Sequence, residues 1–118
     1  SPPAVILSGG ETSVKVKGFG RGGPNTEFTL SLLQELRGQD GIWAIACDTD
    51  GIDGTEDNAG AFISPESFKK SEELGLNPSD YLSNNDSFSF FQELGDLVSP
   101  GPTLTNVNDF RAILVLAT

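Results

Sequence analysis

The sequence predicts an α/β domain, a three-layer sandwich in which a mixed β-sheet lies between helices. Three observations carry that expectation. Strand-like and helix-like segments alternate along nearly the whole chain, the order that sets a sheet against helical layers. Residues 42–47 are all apolar, as a central strand covered on both faces must be. Two strand-like runs lie close together at residues 4–8 and 12–17, which argues for a mixed rather than a purely parallel sheet.

Each element has its own local reason. Residues 4–8 read as a buried strand, and Gly9 and Gly10 turn the chain into residues 12–17. There Val14 and Val16 alternate with Lys15 and Lys17, the mark of a half-exposed strand. After a glycine-rich stretch, Phe28, Leu32 and Leu36 recur at four-residue spacing with Leu33 broadening the same face, so residues 24–37 form an amphipathic helix. Pro24 suits its first turn, Glu27 complements its positive end, and Gly38 suits its exit. Residues 59–63 form a short strand. Ser64, Pro65 and Glu66 then put cap, proline and acid where a helix start prefers them, and Gly75 closes that helix. Asn77 and Pro78 open a second short helix near Tyr81, and Asp86 or Ser87 caps a third that runs through Phe90 to Leu94 before Gly95. Residues 97–98 and 112–116 are the last strands, with the polar stretch 100–109 between them.

Composition bounds what such a fold can do. At 118 residues and 36% hydrophobic, the chain suits one compact domain over residues 1–118, small for a complete two-substrate enzyme. Its 17 acidic and 7 basic residues give a net charge of -10, which argues against nucleic acid or an anionic membrane surface as partner. No apolar run approaches the roughly 20 residues of a membrane span, so a soluble protein is expected. The lone Cys47 permits no internal disulfide and fits a reducing cytoplasm. A chain that opens at Ser1, contains no methionine and enters a strand-like run within a few residues reads as an excised piece or a processed product, and no signal peptide is visible. With no histidine, the chain itself supplies no Ser-His-Asp triad, Cys-His pair or His-containing zinc site. Phosphoryl transfer survives, because it rests on positioning, metal ions and charge stabilisation.

Three segments carry candidate chemistry. Gly18, Gly20, Arg21, Gly22 and Gly23 lie between a strand and a helix, where backbone amides and a helix amino terminus favour a phosphate or carboxylate. Gly18, Gly20 and Gly23 formally satisfy the dinucleotide fingerprint, with Asp48 in place of its ribose-binding acid. Against that match, the preceding strand alternates valine with lysine, whereas a dinucleotide fold buries its first strand on both faces. A flexible connection that needs glycine is the plainer alternative. No Walker-type lysine-serine pair is present.

Asp48, Asp50 and Asp53 follow the most apolar strand, with Glu56 and Asp57 close behind. Ligands of open α/β sheets bind at strand carboxyl ends, where carboxylates hold Mg²⁺ or orient a hydroxyl. EF-hand spacing fails, since Ile52 falls where an oxygen ligand belongs. A solvated acidic loop held by its own turns is the alternative. The third segment, with Thr103, Thr105, Asn106 and Asn108, is dense in hydroxyls and amides. It suits the wall of a polyhydroxy-acid site, or satisfies its own backbone in turns.

Together, Ser8-Gly9-Gly10-Glu11-Thr12, Gly20-Arg21-Gly22-Gly23-Pro24-Asn25-Thr26-Glu27-Phe28, Asp48-Thr49-Asp50-Gly51-Ile52-Asp53-Gly54, Asn85-Asp86-Ser87 and Gly101-Pro102-Thr103-Leu104-Thr105-Asn106-Val107-Asn108-Asp109 resemble the MOFRL domain. Order and spacing match over nearly the whole chain. That domain forms the carboxyl-terminal part of the class II glycerate kinases, or glycerate 2-kinases, a family also known under the name hydroxypyruvate reductase. The resemblance implies that D-glycerate and ATP bind in a cleft between this domain and a larger amino-terminal domain. The chain alone is then half of an active site, with little or no catalysis of its own. In the implied reaction a glycerate hydroxyl attacks the γ-phosphoryl of Mg-ATP. Asp48, Asp50 or Asp53 would position metal or hydroxyl, with Asp48 and Asp50 as Mg²⁺ ligands. Gly20, Arg21, Gly22, Gly23 and Asn25 would cradle an anion, Thr105, Asn106 and Asn108 would shape the pocket, and Glu11 would join from the first turn. One departure is Pro24, where the family pattern implies arginine in many relatives, so no charge role transfers to that position. A hydroxypyruvate reductase domain and a non-catalytic anion-binding or interaction module stand as alternatives.

Overall fold

The computed structural model describes residues 4–10, 22–48, 59–98 and 109–116, and for residues 8–10 and 109 the backbone alone. In order along the chain come strand β1 (Ala4–Gly10), helix α1 (Pro24–Leu36), strands β2 (Ile42–Asp48) and β3 (Gly60–Ile63), and helices α2 (Ser67–Glu73), α3 (Pro78–Ser83) and α4 (Ser87–Leu94). Strands β4 (Leu97–Val98) and β5 (Asp109–Val115) complete it. The strands form one sheet in the order β1-β5-β2-β3-β4.

The α/β class holds, but the expected mixed pairing is corrected: every pairing among the described strands is antiparallel. The reason is non-local. β1 and β2 run in the same direction and are joined through α1, yet β5 inserts between them and pairs antiparallel with both. This is a split β-α-β arrangement. The strand expected over residues 12–17 lies outside the described residues, and β5 begins three residues earlier than residues 112–116 suggest.

The three-layer expectation is corrected for the described residues as well. α1 packs on β2 and β3 and also touches α2, α3 and α4, so the helices gather on one face of the sheet. Because side chains alternate along a strand, Ala44 and Ala46 of β2 face the helices beside their partners Ile63 and Ala61 of β3. Trp43, Ile45 and Phe62 face the other way. Apolar residues on both sides of β2 read as two covers, but the described helices supply one.

Small side chains at Ala44, Ala46 and Ala61 let the helices approach closely. Leu30 and Leu33 of α1 and Phe90, Phe91 and Leu94 of α4 fill the space. The Phe90 ring meets Tyr81 nearly edge-on at 5.5 Å and Phe91 at 5.2 Å, the arrangement that aromatic quadrupoles favour. At Gly60, a Cβ would stand 1.8 Å from the Ala46 carbonyl oxygen, so β3 reaches its place against β2 only with glycine there.

α1 forms where expected but turns a different stripe inward. Asn25, Thr26, Thr29, Leu30 and Leu33 are buried, whereas Leu32 and Leu36 are only partly so. The first turn buries polar residues because their hydroxyls are satisfied locally: the Thr29 hydroxyl donates to the Asn25 carbonyl at 2.8 Å. α2 begins three residues after the expected cap Ser64, at Ser67 with Glu66 in the cap position, because residues 64–67 first make a turn in which the Ser67 amide donates to the Ser64 carbonyl at 3.1 Å. The starts of α3 and α4 match their sequence signals. Asn77 caps α3 by accepting from the Ser79 amide at 3.0 Å, with Pro78 next. Asp86 precedes α4, and Gly95 ends it at φ 87°, a left-handed position suited to glycine. β1 departs most. Expected as a buried strand, it is the outermost of the described strands, and its Val5, Ile6 and Leu7 are 61%, 54% and 66% exposed.

Two outcomes test this account. Phe90→Ala, which removes one of the two largest fully buried side chains, is expected to cost about 3–5 kcal/mol in urea denaturation. The second concerns Asp96, whose carboxyl burial pushes above the usual carboxylate range, partly offset by Lys70 and by a hydrogen bond from Ser67. A carboxyl that holds its proton more tightly when folded favours folding fully below its unfolded pKa and loses that contribution as pH rises through the folded one. Asp96→Asn should therefore melt higher than the parent at neutral pH, with the gap closing as pH falls below the ordinary carboxylate value.

Candidate functional site

The register of the sheet brings one set of strand ends together. Gly10, at the end of β1, pairs with Asp109 at the start of β5, and Asp109 pairs on its other side with Asp48 at the end of β2. Gly60, at the start of β3, pairs with Cys47 and with Val98 at the end of β4. All five described strands thus begin or finish at one rim. Residues 11–21, 49–58 and 99–108 are covalently attached to the described fold at that rim, and they include most of the residues singled out in the sequence.

Helix termini add to it. α1 returns through residues 37–41 antiparallel to β2, so its amino terminus comes back to the rim. The contact is visible where the Arg111 guanidinium lies 5.5 Å from the centre of the Phe28 ring, within cation-π range. Arg111 pairs with Ala46 across β2 and β5. By alternation Asp48, two residues beyond Ala46, belongs to the same sheet face, the one that α1 covers. The rim on that face carries a carboxylate, a guanidinium and the positive end of a helix dipole.

The amino ends of α1 and α4 are locked to each other. The Gly23 amide donates to the Thr26 hydroxyl at 3.1 Å, and that hydroxyl lies 2.8 Å from the Ser87 hydroxyl. The Asn85 amide nitrogen donates to both Glu27 carboxylate oxygens, at 3.3 and 3.1 Å. Asn85 itself takes a left-handed backbone, φ 51°. A Cβ on Gly22, at φ 157°, would fall 2.3 Å from the Ser87 hydroxyl oxygen, which explains glycine there by close approach. Two motifs far apart in sequence, residues 20–28 and 85–87, are here one contact.

Of the candidate residues, Gly22, Gly23, Asn25 and Asp48 are described. Gly23 is the cap of α1 with its amide committed to Thr26, Asn25 is fully buried, and Asp48 is half-buried with its amide donating to the Ala59 carbonyl at 2.8 Å. Glu11, Gly20, Arg21, Asp50, Asp53, Thr105, Asn106 and Asn108 lie outside the described residues. Among those described, no three acidic or cysteine side chains are grouped to hold a metal ion. Sequence reasoning passed over Arg111, Thr26 and Glu27 as site-building residues. The signal for Arg111 was present: a cation between Phe110 and the apolar run that completes β5.

The family model described as the MOFRL family matches residues 4–109. A protein of Agrobacterium vitis that carries the provisional name hydroxypyruvate reductase is 58% identical over 115 residues, covering 96% of this chain and 26% of that protein. The D-glycerate 2-kinase of Thermotoga maritima is 44% identical over 114 residues, covering 97% of this chain and 27% of the kinase. A crystal structure of glycerate kinase from the same organism superposes with a TM-score of 0.92 at 42% identity, covering 96% of this chain and 27% of that one. The chain therefore spans about a quarter of the length of these relatives.

The lock between α1 and α4 is tested by a double-mutant cycle. Gly22→Ala is expected to cost about 1–3 kcal/mol in thermal unfolding, because the new methyl group must displace Ser87. In the Ser87→Ala background the loss should be smaller than in the parent, since the displaced hydroxyl is gone.

Proposed function

Since this chain belongs to the MOFRL family, we propose that it is the carboxyl-terminal domain of a glycerate kinase, forming one wall of an active site shared with a larger amino-terminal domain. The observation that carries this reading is the common rim. The segments bearing the acidic, glycine-rich and hydroxyl-rich motifs are tethered to the same end of the sheet, where α1 also begins. Names and likeness of the relatives support the substrate: glycerate kinases match nearly the whole chain at 42–44% identity.

The reaction is transfer of the γ-phosphoryl of ATP to D-glycerate. A glycerate hydroxyl oxygen forms the new bond to phosphorus, the bond to the β,γ-bridging oxygen breaks, and ADP departs with that electron pair. The hydroxyl proton passes to a carboxylate among Asp48, Asp50 and Asp53. Gly20, Arg21, Gly22 and the amino end of α1 face the anionic groups with backbone donors and positive charge. Arg111, on the face that α1 covers, adds a cation to the same rim. Asn25 and Gly23 act from beneath, holding the first turn of α1, while Glu11, Thr105, Asn106 and Asn108 line the glycerate side. Asp48 and Asp50 offer the hard oxygen ligands that suit Mg²⁺. When bound, that ion neutralises charge on the transferring phosphates. Such a protein works in the cytoplasm, the compartment that supplies ATP and keeps Cys47 reduced.

A second reading, a hydroxypyruvate reductase domain, is favoured by the name of the Agrobacterium relative. Two measurements on the full-length protein separate the readings. Asp48→Asn, Asp50→Asn and Asp53→Asn are each assayed for phosphorylated glycerate formed per minute, and at least one is expected to lose about 100-fold or more. Parental turnover in all three would remove the acidic segment from the mechanism. A fluorescence titration with NADH is expected to show no binding, whereas saturable binding would favour the reductase.

A further inference from the structure

The described helices leave two parts of the sheet uncovered. On the face away from them, Val5, Trp43, Ile45, Phe62, Ala112 and Leu114 line one continuous apolar depression, in which Val5 and Phe62 are 61% and 39% exposed. At the β1 edge the exposure reaches both faces. Val5 and Leu7 pair with Leu114 and Ala112 on the outer side, whereas Ile6 pairs with Ile113 on the helix side, and all three β1 residues are more than half exposed. A contiguous apolar surface of this kind on a soluble chain marks an interaction site, and β1 is the outermost of the described strands.

We infer that this outer face together with β1 is the surface on which the remaining, larger part of the full-length polypeptide docks. Three observations select that occupant. The relatives extend well beyond the match, which spans 26% and 27% of two of them, so a body large enough to cover a five-stranded sheet is available in one chain. Covering Ile6 as well as Val5 and Leu7 requires a partner that wraps the edge, which a flat copy of the same face does not do. Two copies of this chain would also bring together net charges of -10 each, a repulsion that opposes self-association. The inference rests on the reading above only in taking the chain as part of a longer protein; it is independent of the reaction.

Hydroxyl-radical labelling of the full-length protein, read by mass spectrometry, tests it without any substitution. Leu74, exposed at 53% on the helical side, serves as the accessible reference and fully buried Phe90 as the protected one. Val5, Leu7 and Phe62 are expected to label about tenfold less than Leu74, as the dry centre of an interface requires. Labelling equal to that of Leu74 overturns the inference. Protection that vanishes on dilution, as the mass falls from dimer to monomer, also overturns it and assigns the face to a second copy. Glycerate phosphorylation measured on the same sample keeps the two questions apart: an inactive protein with protected Val5 and Leu7 refutes the kinase reading alone.

Discussion

The antiparallel insertion of β5 between β1 and β2 is the constraint on which the rest of the molecule depends. Once β5 takes that place, its backbone is hydrogen-bonded on both sides, and β1 and β2 are held parallel in direction without touching. α1 must then run back along the sheet to connect them. Its amino terminus is thereby delivered to the end where β1 and β2 finish and β5 starts. No separate interaction is needed to bring the motif-bearing segments to a common rim; strand order does it.

The second constraint is the contact between the first turns of α1 and α4. Burying Thr26, Ser87 and Asn85 would be costly for unpaired polar groups. Here the hydroxyls meet each other and the Asn85 amide meets the Glu27 carboxylate, so burial becomes a means of fixing two helix starts relative to one another. Gly22 belongs to this economy of space rather than to backbone freedom alone, because the Ser87 hydroxyl occupies the volume its side chain would need. Part of the pattern that marks the family is therefore architectural.

The strong negative charge and the open sheet act in different directions. A net charge of -10 opposes association between copies, while the outer face and β1 leave apolar side chains exposed. A domain with both properties is suited to being one body of a larger chain, tethered to its partner, rather than to free association.

Local pattern was enough to place the helices and most strands. Pro24, Asn77-Pro78, Asp86 and the glycines at 38, 75 and 95 mark helix boundaries because caps and left-handed turns are set by residues within a few positions. The α/β class and the order and spacing of the family's motifs are likewise written along the chain. Strand order, the one-sided helical layer and the exposure of β1 were not, since an apolar run reads the same whether one face or two are covered. Nor was the pairing of residues 20–28 with residues 85–87, or the role of Arg111 beside Phe28. These depend on which distant segment arrives at each face, and that is decided only when the whole chain is packed.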